Sequence, residues 1–142
     1  MGAVSTRPAP WAAGYLTRGL VYRDKGRTPP RLDCWGLVRL VHQEVFDQEL
    51  PSFLEEYASA LDPDEALRAF EHGAPLFQRV ERSEAQPGDV VLLQLGGTPL
   101  HAGVYVGGDL VLQLTRAGAS LESVAPHRAR GRRVEGVYRW LG

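Results

Sequence analysis

The strongest constraint in the sequence is a change of hydrophobic period between its two halves. In CWGLVRLVHQEVF, which follows Asp33, the residues Leu37, Leu40, Val41 and Val45 recur at i, i+3, i+4 and i+8. That spacing lays one apolar stripe along a helix that packs on a core. Asp33 is a favoured N-cap type, and Pro51 forbids simple continuation, so the helix is expected to stop near Asp47. Further on, DVVLLQL (Asp89 to Leu95), HAGVYV (His101 to Val106) and LVLQLT (Leu110 to Thr115) read as strands, with Gly107-Gly108-Asp109 as the turn between the last two. Gly136 to Leu141 offers a closing strand. Helices first and an antiparallel meander afterwards make an α+β domain.

The remaining pieces fit around that frame. Trp11 to Tyr22 reads as a short helix followed by an extended segment, and Arg23 to Leu32 as a polar loop holding Pro29-Pro30. Asp62-Pro63-Asp64-Glu65 before ALRAFEHG gives an N-cap, a proline at the first helical position and a glycine stop, so a second short helix is expected there. No internal repeat is present. At 142 residues, 44% hydrophobic and 23% charged, the chain suits one core, and residues 1–142 are read as a single domain.

Several function classes fall away on composition. No run approaches the roughly 20 apolar residues of a membrane-spanning helix, so no membrane insertion is expected. Sixteen basic against 17 acidic residues, a net charge of -1, remove the electrostatic case for nucleic-acid binding. The acidic stretch Glu44 to Glu71 and the Arg-rich stretch His127 to Arg139 read as a solvated helical face and a surface edge. Met1 to Pro10 lacks an apolar core for a secretory signal, so the expectation is a chain made in the cytoplasm whose export, if any, takes another route. A single cysteine, Cys34, allows no internal disulfide and no paired-cysteine zinc site, and His42, His72, His101 and His127 show no metal-ligand spacing. No metal and no cofactor is implied.

What Cys34 does depends on its position. With Asp33 as cap, Cys34 falls in the first helical turn, where unpaired N–H groups and the helix dipole stabilise a thiolate and are expected to lower its pKa. A thiolate nucleophile needs a base, and the base needs a partner that fixes its tautomer. His101 opens a strand and shares a face with Gly103 and Tyr105. A three-residue turn at Gly107 to Asp109 would pair Val106 with Leu110 and Gly103 with Gln113, bringing Gln113 onto the face of His101. A two-residue turn would pair Val104 with Gln113 and send the glutamine to the other face. His42 is placed on the polar side of the Cys34 helix, His72 before a C-cap glycine and His127 in the Arg-rich segment, none with a comparable partner.

LDCWGLVRLV, QPGDVVLL and HAGVYVGGDLVLQL, in that order, resemble the NlpC-type family of papain-like cell-wall peptidases. The resemblance covers roughly Trp11 to Thr115 and is strongest to members carried in bacteriophage tails and gene-transfer particles. It implies a Cys-bearing helix packed on a central antiparallel sheet, with Cys34 as nucleophile, His101 as base and acid, and Gln113 as the third, polar residue. Tyr22 matches a tyrosine that lies beside the substrate and helps hold the oxyanion. Family members cleave amide bonds of peptidoglycan stem peptides, commonly between D-glutamate and the diamino acid. Asp33 is then expected at the substrate's amino end. Trp35 stands where many secreted relatives have serine, either contacting substrate or packing the helix start into the core.

The resemblance implies stem peptides as substrate and phage tail-tip proteins as partners, in a phage tail or tail-like particle. Two other readings share the fold: a tail-assembly structural protein with little activity, and a papain-like amidase or acyltransferase on another substrate.

Overall fold

The cap and stripe around Cys34 organise the molecule. The computed structural model describes residues 7–52, 76–94, 101–125 and 133–142. Helix α1 spans Ala12–Leu16 and the main helix α2 spans Cys34–Phe46. Asp33 is extended and its side chain accepts the Gly36 N–H at 2.7 Å, which starts α2. Asp47 ends it in the left-handed region (φ 52°), its N–H bonded to the His42 carbonyl. Of the stripe, Leu37, Leu40 and Val41 are buried and Val45 is partly buried, and Val38 is buried beside them.

Three two-residue strands, β1 (Val21–Tyr22), β2 (Arg27–Thr28) and β3 (Arg31–Leu32), form a small sheet of order β1-β3-β2 before α2. The main sheet follows, with β4 (Phe77–Val80), β5 (Val90–Gln94), β6 (His101–Gly107), β7 (Leu110–Thr115), β8 (Gly118–Ser123) and β9 (Arg133–Trp140). Its order is β4-β9-β5-β6-β7-β8, every neighbouring pair antiparallel. Ala102, Val104 and Val106 of β6 and Leu112 and Leu114 of β7 join Leu37, Val38 and Val41 in one core. Tyr105, Val111, Val91, Leu93 and Val137 form a second cluster on the other side. Each buried leucine or valine contributes roughly 1.5–3 kcal/mol over an exposed one, so the alternation is what fixes the register.

Three expectations change or pass out of view. The C-terminal strand does not close the sheet at an edge; β9 lies between β4 and β5, because β4 pairs with its outer side. The expected helix after Asp62 lies outside the described residues. His42 is not on a polar face but buried, its Nδ1 2.8 Å from the Val38 carbonyl. Phe46 and the Gly88 backbone surround it, and burial lowers its pKa below the ordinary 6.5.

That burial makes stability depend on pH with a definite sign. The unfolded imidazole gains a proton as pH falls through about 6.5, while the folded one resists until a lower pH. Stability is therefore full above that value and falls as the solution is acidified through it. Urea unfolding between about pH 8 and pH 5 is expected to show this loss, with a smaller slope in His42→Gln. Equal slopes in the two proteins would contradict the assignment.

Candidate active site

Cys34 occupies the first turn of α2, as its cap dictates, and its side chain is almost fully enclosed. The backbone N–H groups of Trp35 and of Ala102 on β6 favour its thiolate. Burial outweighs them, and the Asp33 carboxylate adds to the effect, so the thiol is pushed up to about 11. The expected lowering of this thiol is thus overturned in the resting protein, because the helix start lies in a dry site beside a negative charge. Cys34 rests as a neutral thiol.

His101 is the residue before the peptide that meets the thiol. The hairpin that carries it to Gln113 uses the two-residue turn and not the three-residue one, and adds a bulge beside it. Gly108 (φ 62°) and Asp109 (φ 58°) form a two-residue turn of the type that fits strand twist, closed by Gly107 opposite Leu110. A bulge between Tyr105 and Gly107 then absorbs one residue. Val104 consequently faces Leu112, and that register carried one residue further sets Gln113 beside Gly103, where a Cβ on that glycine would lie 3.5 Å from the Gln113 Cβ. The two-residue turn alone would have sent the glutamine away; the bulge restores it.

His101 Nε2 is hydrogen-bonded to Gln113 Oε1. Gln113 is fully buried, and its Nε2 donates to Ser120 Oγ on β8 at 3.4 Å, which leaves Oε1 directed at His101. A carbonyl oxygen only accepts, so the imidazole carries its proton on Nε2 and its lone pair on Nδ1. Gly103 permits the close approach: a Cβ there would stand 2.5 Å from Val111 Cγ2 and 2.7 Å from the Leu112 carbonyl.

Tyr22, half-buried on β1, lies close enough for a charge on Cys34 to act on it. Burial first, then Cys34, Asp33 and Asp24, hold its hydroxyl well above its ordinary pKa, while Arg116 opposes them. It therefore remains an O–H donor. Arg116 sits in the two-residue turn joining β7 and β8 and was not anticipated, since a single arginine in a turn has no sequence signature.

Asp33 is wholly buried and heavily bonded. Its Oδ1 accepts from Gly36 N and from Arg27 Nη1 at 2.6 Å, and its Oδ2 from Lys25 N at 3.2 Å. Trp35 is buried, donates Nε1 to the Pro51 carbonyl at 2.7 Å and meets Phe77 edge-on at 6.2 Å. The packing alternative for this indole is the one its contacts fit. Gly36 explains the glycine two residues after the cysteine, because a Cβ there would lie 2.4 Å from the Gly26 carbonyl oxygen. Among the described residues no three His, Cys, Asp or Glu side chains cluster to hold a metal.

Comparison with known proteins bears on the family and the fold. Residues 19–133 match the NlpC/P60 family. Over 108 residues the chain is 30% identical to a murein DD-endopeptidase/LD-carboxypeptidase, MepS, of Escherichia coli K12, covering 75% of this chain and 49% of that protein. It is 24% identical over 106 residues to a probable endopeptidase p60 of Listeria grayi, covering 75% of this chain and 17% of that one. The chain thus spans about half or less of the length of these relatives. Among solved structures, NlpC2 of Trichomonas vaginalis superposes with a TM-score of 0.61 at 18% identity, covering 99% of this chain and 48% of that one. The NlpC/p60 domain of the peptidoglycan hydrolase SagA superposes at 0.55 and 18% identity, covering 92% of both chains.

Proposed function

Because the chain belongs to the NlpC/P60 family, we propose that it is a cysteine endopeptidase that hydrolyses amide bonds in peptidoglycan stem peptides. Cys34 is the nucleophile, His101 the base and acid, and Gln113 the residue that fixes the imidazole. The observation that carries this reading is the His101–Gln113 hydrogen bond, set on the strand whose Ala102 N–H meets the Cys34 thiol.

The protonation states order the steps. With the thiol neutral at rest, His101 Nδ1 takes its proton as Sγ attacks the amide carbonyl, and a C–S bond forms while the carbonyl oxygen becomes an oxyanion. The Cys34 N–H and the Tyr22 hydroxyl donate to that oxygen. His101 returns the proton to the leaving amine as the C–N bond breaks, and water, activated by the same imidazole, releases the acyl group from sulfur. Tyr22→Phe is expected to lower kcat by about 10²–10³ with little change in KM, because the donor acts on charge that develops after binding. Unchanged turnover in this variant would remove Tyr22 from the mechanism.

The finer assignments rest on the sequence resemblance. The bond cut is that between D-glutamate and the diamino acid. Asp33 acts on the subsite for the stem peptide's amino end through its charge, since its oxygens are committed to Arg27, Gly36 and Lys25, while Trp35 packs the helix start behind it. The Asp-Cys-Trp-Gly-Leu-Val-Arg form is what supports a role in a phage tail or tail-like particle, with synthesis in the cytoplasm and tail-tip proteins as partners. Incubation with purified peptidoglycan sacculi tests the activity: soluble muropeptides released by the protein and not by Cys34→Ala support it, and release by neither contradicts it.

A further inference from the structure

The segment before α2 carries a nearly buried cation that the reaction above does not use. Arg27, with its side chain 10% exposed, donates Nη1 to Asp33 Oδ1 at 2.6 Å and to the Gly26 carbonyl at 2.8 Å. Its Nη2 reaches the Ser52 carbonyl at 2.7 Å, and its Nε lies 3.3 Å from both the carbonyl and the hydroxyl of Ser52. Two α2 side chains continue the pattern, Trp35 to the Pro51 carbonyl and Arg39 Nε to the Leu50 carbonyl at 2.8 Å. Three successive carbonyls thus each receive a side-chain donor, and the chain leaving α2 is fastened back along the helix that bears Cys34.

Arg27 differs from the other two in being bonded to Asp33. An aspartate cap makes charge-assisted bonds to the helix start, yet it sets a buried negative charge one residue before the sulfur. In a water-poor site such a charge is weakly screened and opposes formation of a thiolate. We propose that Arg27 is a positioning residue that holds Asp33 in the cap and cancels its field at Cys34, so that the thiol can give its proton to His101 without loss of the helix start. The directions of the charge effects on the thiol agree: Asp33 raises its pKa and Arg27 lowers it. Among the described residues Tyr22 on β1 is also near enough to feel a charge on the sulfur, and the variants below leave it and His101, the proposed base, in place.

The inference rests on Cys34 being the nucleophile, but its test needs no peptide substrate. Cys34 is the single cysteine of the chain, so its alkylation by iodoacetamide can be followed in the full protein from roughly pH 7 to 10, below the inflection, where the rate at a fixed pH follows the thiolate fraction. In Arg27→Met that rate is expected to fall about tenfold or more, and in Asp33→Asn, which still caps a helix, to rise by a similar factor. Arg27→Lys keeps the charge and is expected to stay within about threefold of the parent. Equal rates in the parent and Arg27→Met, each folded by circular dichroism, would reduce Arg27 to a structural strut and overturn the proposal. Should Arg27→Met fail to fold, Arg27→Met in the Asp33→Asn background decides: a slower rate than Asp33→Asn alone supports the proposal and an equal one overturns it. Failure of the peptidase reading would appear separately, as changed alkylation rates in a protein that cleaves no stem peptide.

Discussion

His101→Ala is expected to lower kcat/KM on stem peptides by about 10⁴- to 10⁶-fold, and Cys34→Ala by a similar factor. The size follows from the resting state of the site. A thiol pushed up to about 11 by burial is almost wholly protonated near neutrality, so nothing attacks unless a base removes the proton. Nδ1 of His101 is the nitrogen left with a lone pair once Nε2 is given to Gln113. The two residues act as one unit, so the double variant is expected to lose no more than either single one. Steady-state kinetics of the two variants and their combination check this. Losses that multiply would mean that the two side chains act independently.

Gly36→Ala is expected to produce the larger structural effect. The added Cβ would meet the Gly26 carbonyl oxygen at 2.4 Å, and that neighbour is backbone, unable to swing aside. The same oxygen accepts from Asp33 N at 3.3 Å and from Arg27 Nη1, so displacing it disturbs the cap and the buried ion pair together. Overpacking of this kind costs about 1–3 kcal/mol and sometimes more, and for a domain of this size each kcal/mol lowers Tm by roughly 4 °C. Gly14→Ala in α1 is the control, because a Cβ there meets nothing within 4 Å and alanine is the better helix former. Thermal melts of both variants should differ in direction or clearly in size; equal melts would show that Gly36 is not the contact that fixes the segment over the helix start.

Much of this architecture is legible in the sequence because its signals are local. The α2 stripe, the Asp33 cap and the strands around His101 and Gln113 each follow from periods of 3.6 or 2 and from turn residues. The pairing of His101 with Gln113 follows in the sequence from a three-residue turn, whereas the protein uses a two-residue turn and a bulge between Tyr105 and Gly107 supplies the compensating residue. Bulges leave no dependable mark on sequence, so the register could be stated only conditionally. The burial of His42 is hidden for a related reason: a polar side chain on a helix reads as exposed unless its partner carbonyl, here that of Val38, is known. Arg27 was invisible within a polar loop, since its role depends on contacts with Asp33 and Ser52, six and 25 residues away. The thiol's raised pKa was missed because helix position can be read from sequence, whereas burial cannot.

The central claim, that Cys34 and His101 cut a defined bond of the peptidoglycan stem, is tested most directly with stem peptides of known sequence. The full protein and its Cys34→Ala variant are incubated with them in parallel and the fragments are identified by mass spectrometry. The account predicts one new amine and carboxyl pair, at the bond between D-glutamate and the diamino acid, made only by the intact protein. No cleavage by the intact, folded protein, or equal cleavage by the variant, would contradict it.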